Sequence, residues 1–175
     1  MEKRSAYEVI LERRSIRSFR GDPVSEENIE KILIAAQRAP SAGNRQPWHF
    51  YVVRNQNLKE SLAQAAFDQK FIAQAPVVIV VCADPERSAL RYGERGRTLY
   101  AIQDTANAGM NIWLTVTELG LATCWIGAFD EAMAAKVLSL PSNLRPVAMF
   151  PIGFPAESGR ITPRRPLQEI VTFLD

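Results

Sequence analysis

Residues 39–50 read APSAGNRQPWHF, a run of structure-breaking and hydrogen-bonding residues between two regular patterns. Upstream, Ser25 is a good N-cap, and Glu26 and Glu27 fall in the first turn, where carboxylates suit the helix dipole. Ile29, Ile32, Leu33 and Ala36 follow at amphipathic helical spacing. Pro40 stops that helix, because the residue before a proline avoids the helical region. Downstream, Trp48–Val53 (WHFYVV) is aromatic and β-branched, which predicts a strand. Between them Gly43 allows a tight backbone path, and Ser41 and Asn44 present hydrogen-bonding groups at fixed positions. A plain connector needs none of this.

The same pattern of helix and strand continues outward. Ala6–Arg13 reads as a short helix and Leu58–Ala66 as another. VVIVVCA, residues 77–83, is a continuous apolar run, as expected of a strand buried on both faces. Asp84–Arg97 reads as a charged, flexible connector. Thr98–Leu119 is the longest helix, apolar or small on most sides and so central, with Gly120 ending it. Cys124–Phe129 reads as a short strand or strand-like loop, Asp130 caps a helix to Leu138, and Val147–Ile152 is a further strand. The tail after Gly159 adds a strand or wraps another surface. Residues 1–175 therefore read as one domain of α+β or α/β class with a single mixed sheet.

Composition removes several function classes. Twenty-one basic and 19 acidic residues leave a net charge of +2, which argues against a nucleic-acid or membrane-surface role. The first twenty residues are charged throughout and no apolar run is long enough to span a bilayer, so the expectation is a cytoplasmic protein. Cys82 and Cys124 sit in apolar runs without a CxxC spacing and read as buried, reduced thiols. His49 is the one histidine, so a histidine-based metal site cannot be assembled. It reads as a half-exposed strand residue rather than a general base. There is no P-loop, and no GxGxxG between a strand and a helix. Any demanding chemistry then belongs to a cofactor held in another way.

The arginines offer such a way. RRSIRSFR sets Arg13, Arg14, Arg17 and Arg20 around Ser15 and Ser18. Arginine forks, a hydroxyl and backbone N–H groups suit phosphate oxygens. A solvated basic helix end is the equal alternative on spacing alone. A second cluster, Arg164 and Arg165, lies near the C-terminus. Neither is interleaved with aromatics as a nucleic-acid surface would be.

Read together, ERRSIRSFRGDPVSEENIEKILIAAQRAPSAGNRQPWHFYVV, QAPVVIVVCAD, QDTANAGMNIWLTVTELGLATCWIGAF and PRRPLQEIV resemble, in order and over nearly the whole chain, the nitroreductase family of FMN-dependent oxidoreductases. The resemblance implies an α+β nitroreductase-like fold, a mixed and mostly antiparallel sheet flanked by helices, in an intertwined homodimer with FMN at the interface. It implies that Arg13, Ser15 and Arg17 contact the phosphate, ribityl chain and pyrimidine edge, with Arg14 contributing through its backbone. Arg164 reaches the phosphate, and Arg165 is its neighbour. Ser41 and Asn44 of the partner line the isoalloxazine, with Pro40 and Ala42 beside the ring. Gly127 offers its N–H to flavin N5, between Ile126 against the ring face and Ala128. Arg17 is the candidate cation for the negative charge that the reduced ring carries. No catalytic side chain is implied. The implied reaction is ping-pong hydride transfer from NADH or NADPH to a nitroaromatic, quinone or related small electrophilic acceptor. The alternative is a flavin-binding or flavin-sequestering protein without turnover.

The chain is short for this family between the second strand and the central helix. Either the flavin pocket is open there, or residues 87–97 close it on binding. Arg87, Arg91, Arg95 and Arg97 read as a solvated loop, with selection of an acidic or phosphorylated substrate as the alternative.

Overall fold

A computed structural model describes residues 4–174. Its centre is β2, Val77–Ala83, whose residues are all buried. The β1 strand, Trp48–Val53, and the β4 strand, Arg145–Gly153, flank it, and β3, Ala122–Thr123, pairs with β4 on the far side. The order is β1-β2-β4-β3, and every pairing among the described strands is antiparallel.

Alternation along β2 divides the core. Val77, Ile79 and Val81 point to one face, where they meet α2 (Glu26–Gln37) and α6 (Ala101–Glu118) through Ile29, Ile32, Ile112 and Val116. Val78, Val80 and Cys82 point to the other face. There they meet Leu62 of α3 (Gln56–Ala65), Ile72 of α4 (Phe71–Gln74) and Ala134 of α7 (Glu131–Val137). Helices thus cover both faces of an antiparallel sheet, an α+β arrangement. Each large aliphatic side chain that is fully buried contributes about 1.5–3 kcal/mol.

The caps follow the sequence. Ser25 accepts the Asn28 N–H at 3.2 Å and Asp130 the Met133 N–H at 2.8 Å. Ser5 and Glu8 form a capping box at the head of α1, Ala6–Glu12. Both cysteines are buried and free, and burial raises both thiols, Cys82 to about 12.

One expectation is corrected. Residues 84–97 are not a loop. Asp84 caps a helix, α5 (Pro85–Arg95), with Pro85 in its first turn. Gly93 breaks it with φ +56°, and a π-type segment, Gly96–Tyr100, leads on into α6. A left-handed residue at this corner lets the two segments pack together. Cys124–Phe129, read as a short strand or a strand-like loop, is the loop: it follows the two-residue strand Ala122–Thr123 and holds one isolated bridge, from Ile126 to Met149.

Candidate functional site

The fold brings residues 13–20 up to residues 154–164. Ile16 donates its N–H to the Thr123 carbonyl at 3.1 Å and Arg20 to Phe154 at 2.9 Å, while Ala156 donates to Ser18 at 3.0 Å. Phe19 bridges to Pro155. These bonds set residues 13–17 opposite 157–164 across a cavity of about 480 Å³. Arg13, Arg14, Ser15, Arg17, Arg160 and Arg164 line it. None of these five arginines forms an ion pair with a carboxylate among the described residues. Cations gathered without counter-charges repel one another, and the pocket suits an anion.

Individual side chains are held in place. The Arg13 guanidinium lies 4.3 Å from the Trp113 ring centre, and Trp113 Nε1 donates to the Arg14 carbonyl at 3.3 Å. Burial first, then the nearby cations Arg164 and Arg14, holds the Arg13 pKa below its ordinary value. Cys124 borders the same motif. Burial pushes its thiol up, while Arg17, Ser15 and Arg13 pull it down. One carboxylate enters the cavity: Glu157 accepts the Arg17 backbone N–H at 2.7 Å. It fixes the main chain at Arg17 rather than neutralising a guanidinium.

The 39–47 stretch is built elsewhere. Ala42–Asn44 is a single 3₁₀ turn, and Gly43, Asn44 and Gln46 have φ of +54°, +54° and +50°. Two of these carry side chains, so the loop holds a conformation that costs energy unless other contacts enforce it. The contacts are present. Ser41 Oγ accepts the Gln46 N–H at 3.0 Å. Asp104, buried in the first turn of α6, accepts the Ala42 N–H at 3.1 and 3.2 Å through its two oxygens. Arg45 and Arg87 each donate Nε to the other's carbonyl, at 2.8 and 2.9 Å. Pro47 accepts the Asp84 N–H at 2.8 Å. A Cβ on Gly43 would stand 2.5 Å from Tyr92 Oη and 2.8 Å from Arg91 Nη1. So α5 sits directly on this loop.

The residues singled out from sequence therefore divide into groups. Arg13, Arg14, Ser15, Arg17 and Arg164 share one cavity. Arg165 pairs instead with Glu169 at 3.2 Å. Pro40, Ser41, Ala42 and Asn44 belong to the loop under α5 and do not line that cavity. Gly127 and Ala128 are exposed, whereas Ile126 is buried in the core beside Met149. His49 is an exposed strand residue whose ring lies 5.0 Å from that of Tyr51. Asp104, Trp113 and Glu157 escaped the sequence reading. Asp104 stood in a helix that reads as apolar or small on most sides. Its spacing to Asn107 and Asn111, which reach the Pro40 and Ala35 carbonyls, was the available signal.

Among the described residues there is no cluster of three or more histidine, cysteine or acidic side chains able to hold a metal. No described helix is long and apolar enough to cross a membrane.

Comparison with known proteins agrees with this geometry. The chain is 34% identical to an NADH dehydrogenase of Thermus thermophilus over 190 residues, covering 93% of each chain. Its structure is similar to that of a nitroreductase family protein from Clostridium novyi, with TM-score 0.81 and 36% identity over 89% of this chain and 87% of the other. It also matches the NADPH:FMN oxidoreductase of Vibrio harveyi solved with NAD+, with TM-score 0.88 and 26% identity over 97% and 77% of the two chains. The Nitroreductase family model matches residues 10–70 and 65–154. The chain belongs to the nitroreductase family.

Proposed function

We propose that residues 1–175 act as one FMN-binding domain, an oxidoreductase that passes hydride from NADH or NADPH to small electrophilic acceptors such as nitroaromatics or quinones. The observation that carries this is the convergence of Arg13, Arg14, Arg17 and Arg164 with the Ser15 hydroxyl on one cavity without carboxylate partners. That donor set fits a phosphate monoester, since guanidinium forks and a hydroxyl match its oxygens and its charge relieves their repulsion. The similarity to an NADPH:FMN oxidoreductase supports FMN as the bearer of the phosphate.

FMN supplies hydride transfer when bound. The protein's part is to hold and to tune. Arg13, braced on Trp113, and Arg164 would hold the phosphate from opposite walls of the cavity. Arg17, on a main chain pinned by Glu157, stands to offset negative charge on the reduced ring. The exposed backbone at Gly127 is available to orient the reacting edge. The donor and the acceptor use the ring face in turn, which gives ping-pong kinetics.

The loop residues Ser41 and Asn44 reach the ring from a second copy in a homodimer. Two features support that assembly. Leu167, Ile170, Phe173 and Leu174 are 69, 56, 87 and 92% exposed, a costly display for one chain alone. The β1 strand is a sheet edge beside a groove of about 680 Å³ lined in part by Ile29, Leu33, Ile34 and Phe50. A second chain's tail covers both liabilities.

The test is direct. The purified protein should be yellow or take up added FMN, and its flavin band should bleach anaerobically with NADH or NADPH and return when a quinone is added. A protein that takes up no FMN overturns the proposal. Retained FMN that never bleaches leaves a flavin-binding protein without turnover.

A further inference from the structure

Ion pairing sorts Arg97, just beyond α5, from the arginines of that helix, of which Arg95 donates Nε to Tyr100 Oη at 2.9 Å. Arg97 is satisfied twice, by Glu86 at 2.7 Å and Glu94 at 2.7 Å, and these are the acidic residues of that helix. Arg87 and Arg91, one helical turn apart on the same face, have no carboxylate partner among the described residues. Nor has Arg45, which the chain brings up to Arg87 through their reciprocal Nε-to-carbonyl bonds. The guanidinium of Arg91 lies against Gly43, and Tyr92 Oη beside it. Three cations thus flank one short loop. The nearby carboxylate of Asp104 is buried and turned to the Ala42 N–H. Asp84 is engaged by the Arg87 N–H at 3.3 Å and by Asn143 at 3.2 Å. Each of the three arginines leaves exposed or partly exposed donors free.

The loop they flank carries Ser41 and Asn44, which the proposed function sets at the flavin ring. We infer that Arg45, Arg87 and Arg91 form a second anion site, which binds the phosphate groups of the nicotinamide dinucleotide donor. This rests on the proposed function. It separates the two cationic clusters by role: residues 13–17 and 164 keep the resident phosphate, whereas the α5 cluster takes the phosphates of a ligand that arrives and leaves. A more open setting suits the transient ligand. Arg91, Arg87 and Gly43 are exposed, while Arg13 is partly buried and braced.

The experiment uses the FMN-loaded protein and its Arg91→Gln variant. Anaerobic stopped-flow reduction with NADPH and with NADH gives a dissociation constant and a limiting rate for each donor. At low salt Arg91→Gln should weaken donor binding about tenfold, with FMN occupancy and thermal midpoint unchanged and the limiting rate little affected. A loss confined to NADPH assigns the 2′-phosphate, and an equal loss for both donors assigns the diphosphate they share. Wild-type donor affinity should fall as salt rises, and the variant's should fall less. Unchanged affinity for both donors overturns the inference, as does weakening seen only with a carboxylated acceptor such as nitrobenzoate. The two readings fail differently: a protein that takes up no FMN removes both, whereas normal flavin uptake with donor affinities insensitive to Arg91 removes this one alone.

Discussion

The 39–47 loop and the 159–174 tail both begin where regular structure stops, yet they are held in opposite ways. The loop keeps left-handed residues in place with bonds from α6, α5 and its own Ser41. The tail beyond Gly159 is exposed at every described residue, and its bonds are short-range, such as Arg164 to Thr162 and Arg165 to Glu169. One segment is fixed by its own chain, so its shape exists before any ligand arrives. The other carries apolar side chains that nothing in its own chain covers. Irregular sequence alone does not distinguish these cases. The source of the restraining contacts does.

The largest effect should come from the tail. Removing residues 167–175 should abolish the proposed homodimer and lower the mass in solution to that of one chain, measured by light scattering; an unchanged dimer would break the contrast. Arg13→Ala should weaken FMN binding by about 1.5–3 kcal/mol, as loss of a charge-assisted hydrogen bond does, read by titration of the apoprotein.

Loop variants sharpen the other side. Asp104→Ala leaves the Ala42 N–H without its acceptor and should cost about 1–3 kcal/mol of stability in denaturant unfolding, while Asp104→Asn, which keeps a carbonyl, should cost less. Burial holds the Asp104 carboxyl above the usual carboxylate range, against the pull of the Ala42 N–H. Its stabilising contribution is therefore full below the ordinary carboxylate pKa and is lost as pH rises through the raised folded value. Asp104→Asn should flatten that part of the stability curve. Smallest of all, Cys82 and Cys124 should resist thiol reagents at neutral pH, since both thiols are buried and raised.

Much of the fold was legible because its signals are local. VVIVVCA announced a strand covered on both faces, and Ser25 with its two glutamates announced the start of α2. The α5 helix was missed although Asp84, Pro85 and Glu86 form a proper start, because the glycines and dense charge that follow imitate a loop. The arginine–serine motif was visible as a possible anion site. That Arg164 would join it depends on the return of residues 154–156 to 18–20, a pairing no local pattern encodes. Asp104 was hidden for the same reason: its partner lies 62 positions away.

That joining of residues 13–20 to 154–164 has a consequence for biosynthesis. One wall of the arginine cavity comes from residues 13–17 and the other from 157–164, so it can close only after residues 157–164 have left the ribosome. The β1–β2 pair, residues 48–53 with 77–83, can form while the leading arginines still lack their counterpart, because both strands precede it in the chain. A nascent chain that has not yet reached residue 157 therefore carries the arginine–serine motif without the second wall of its cavity.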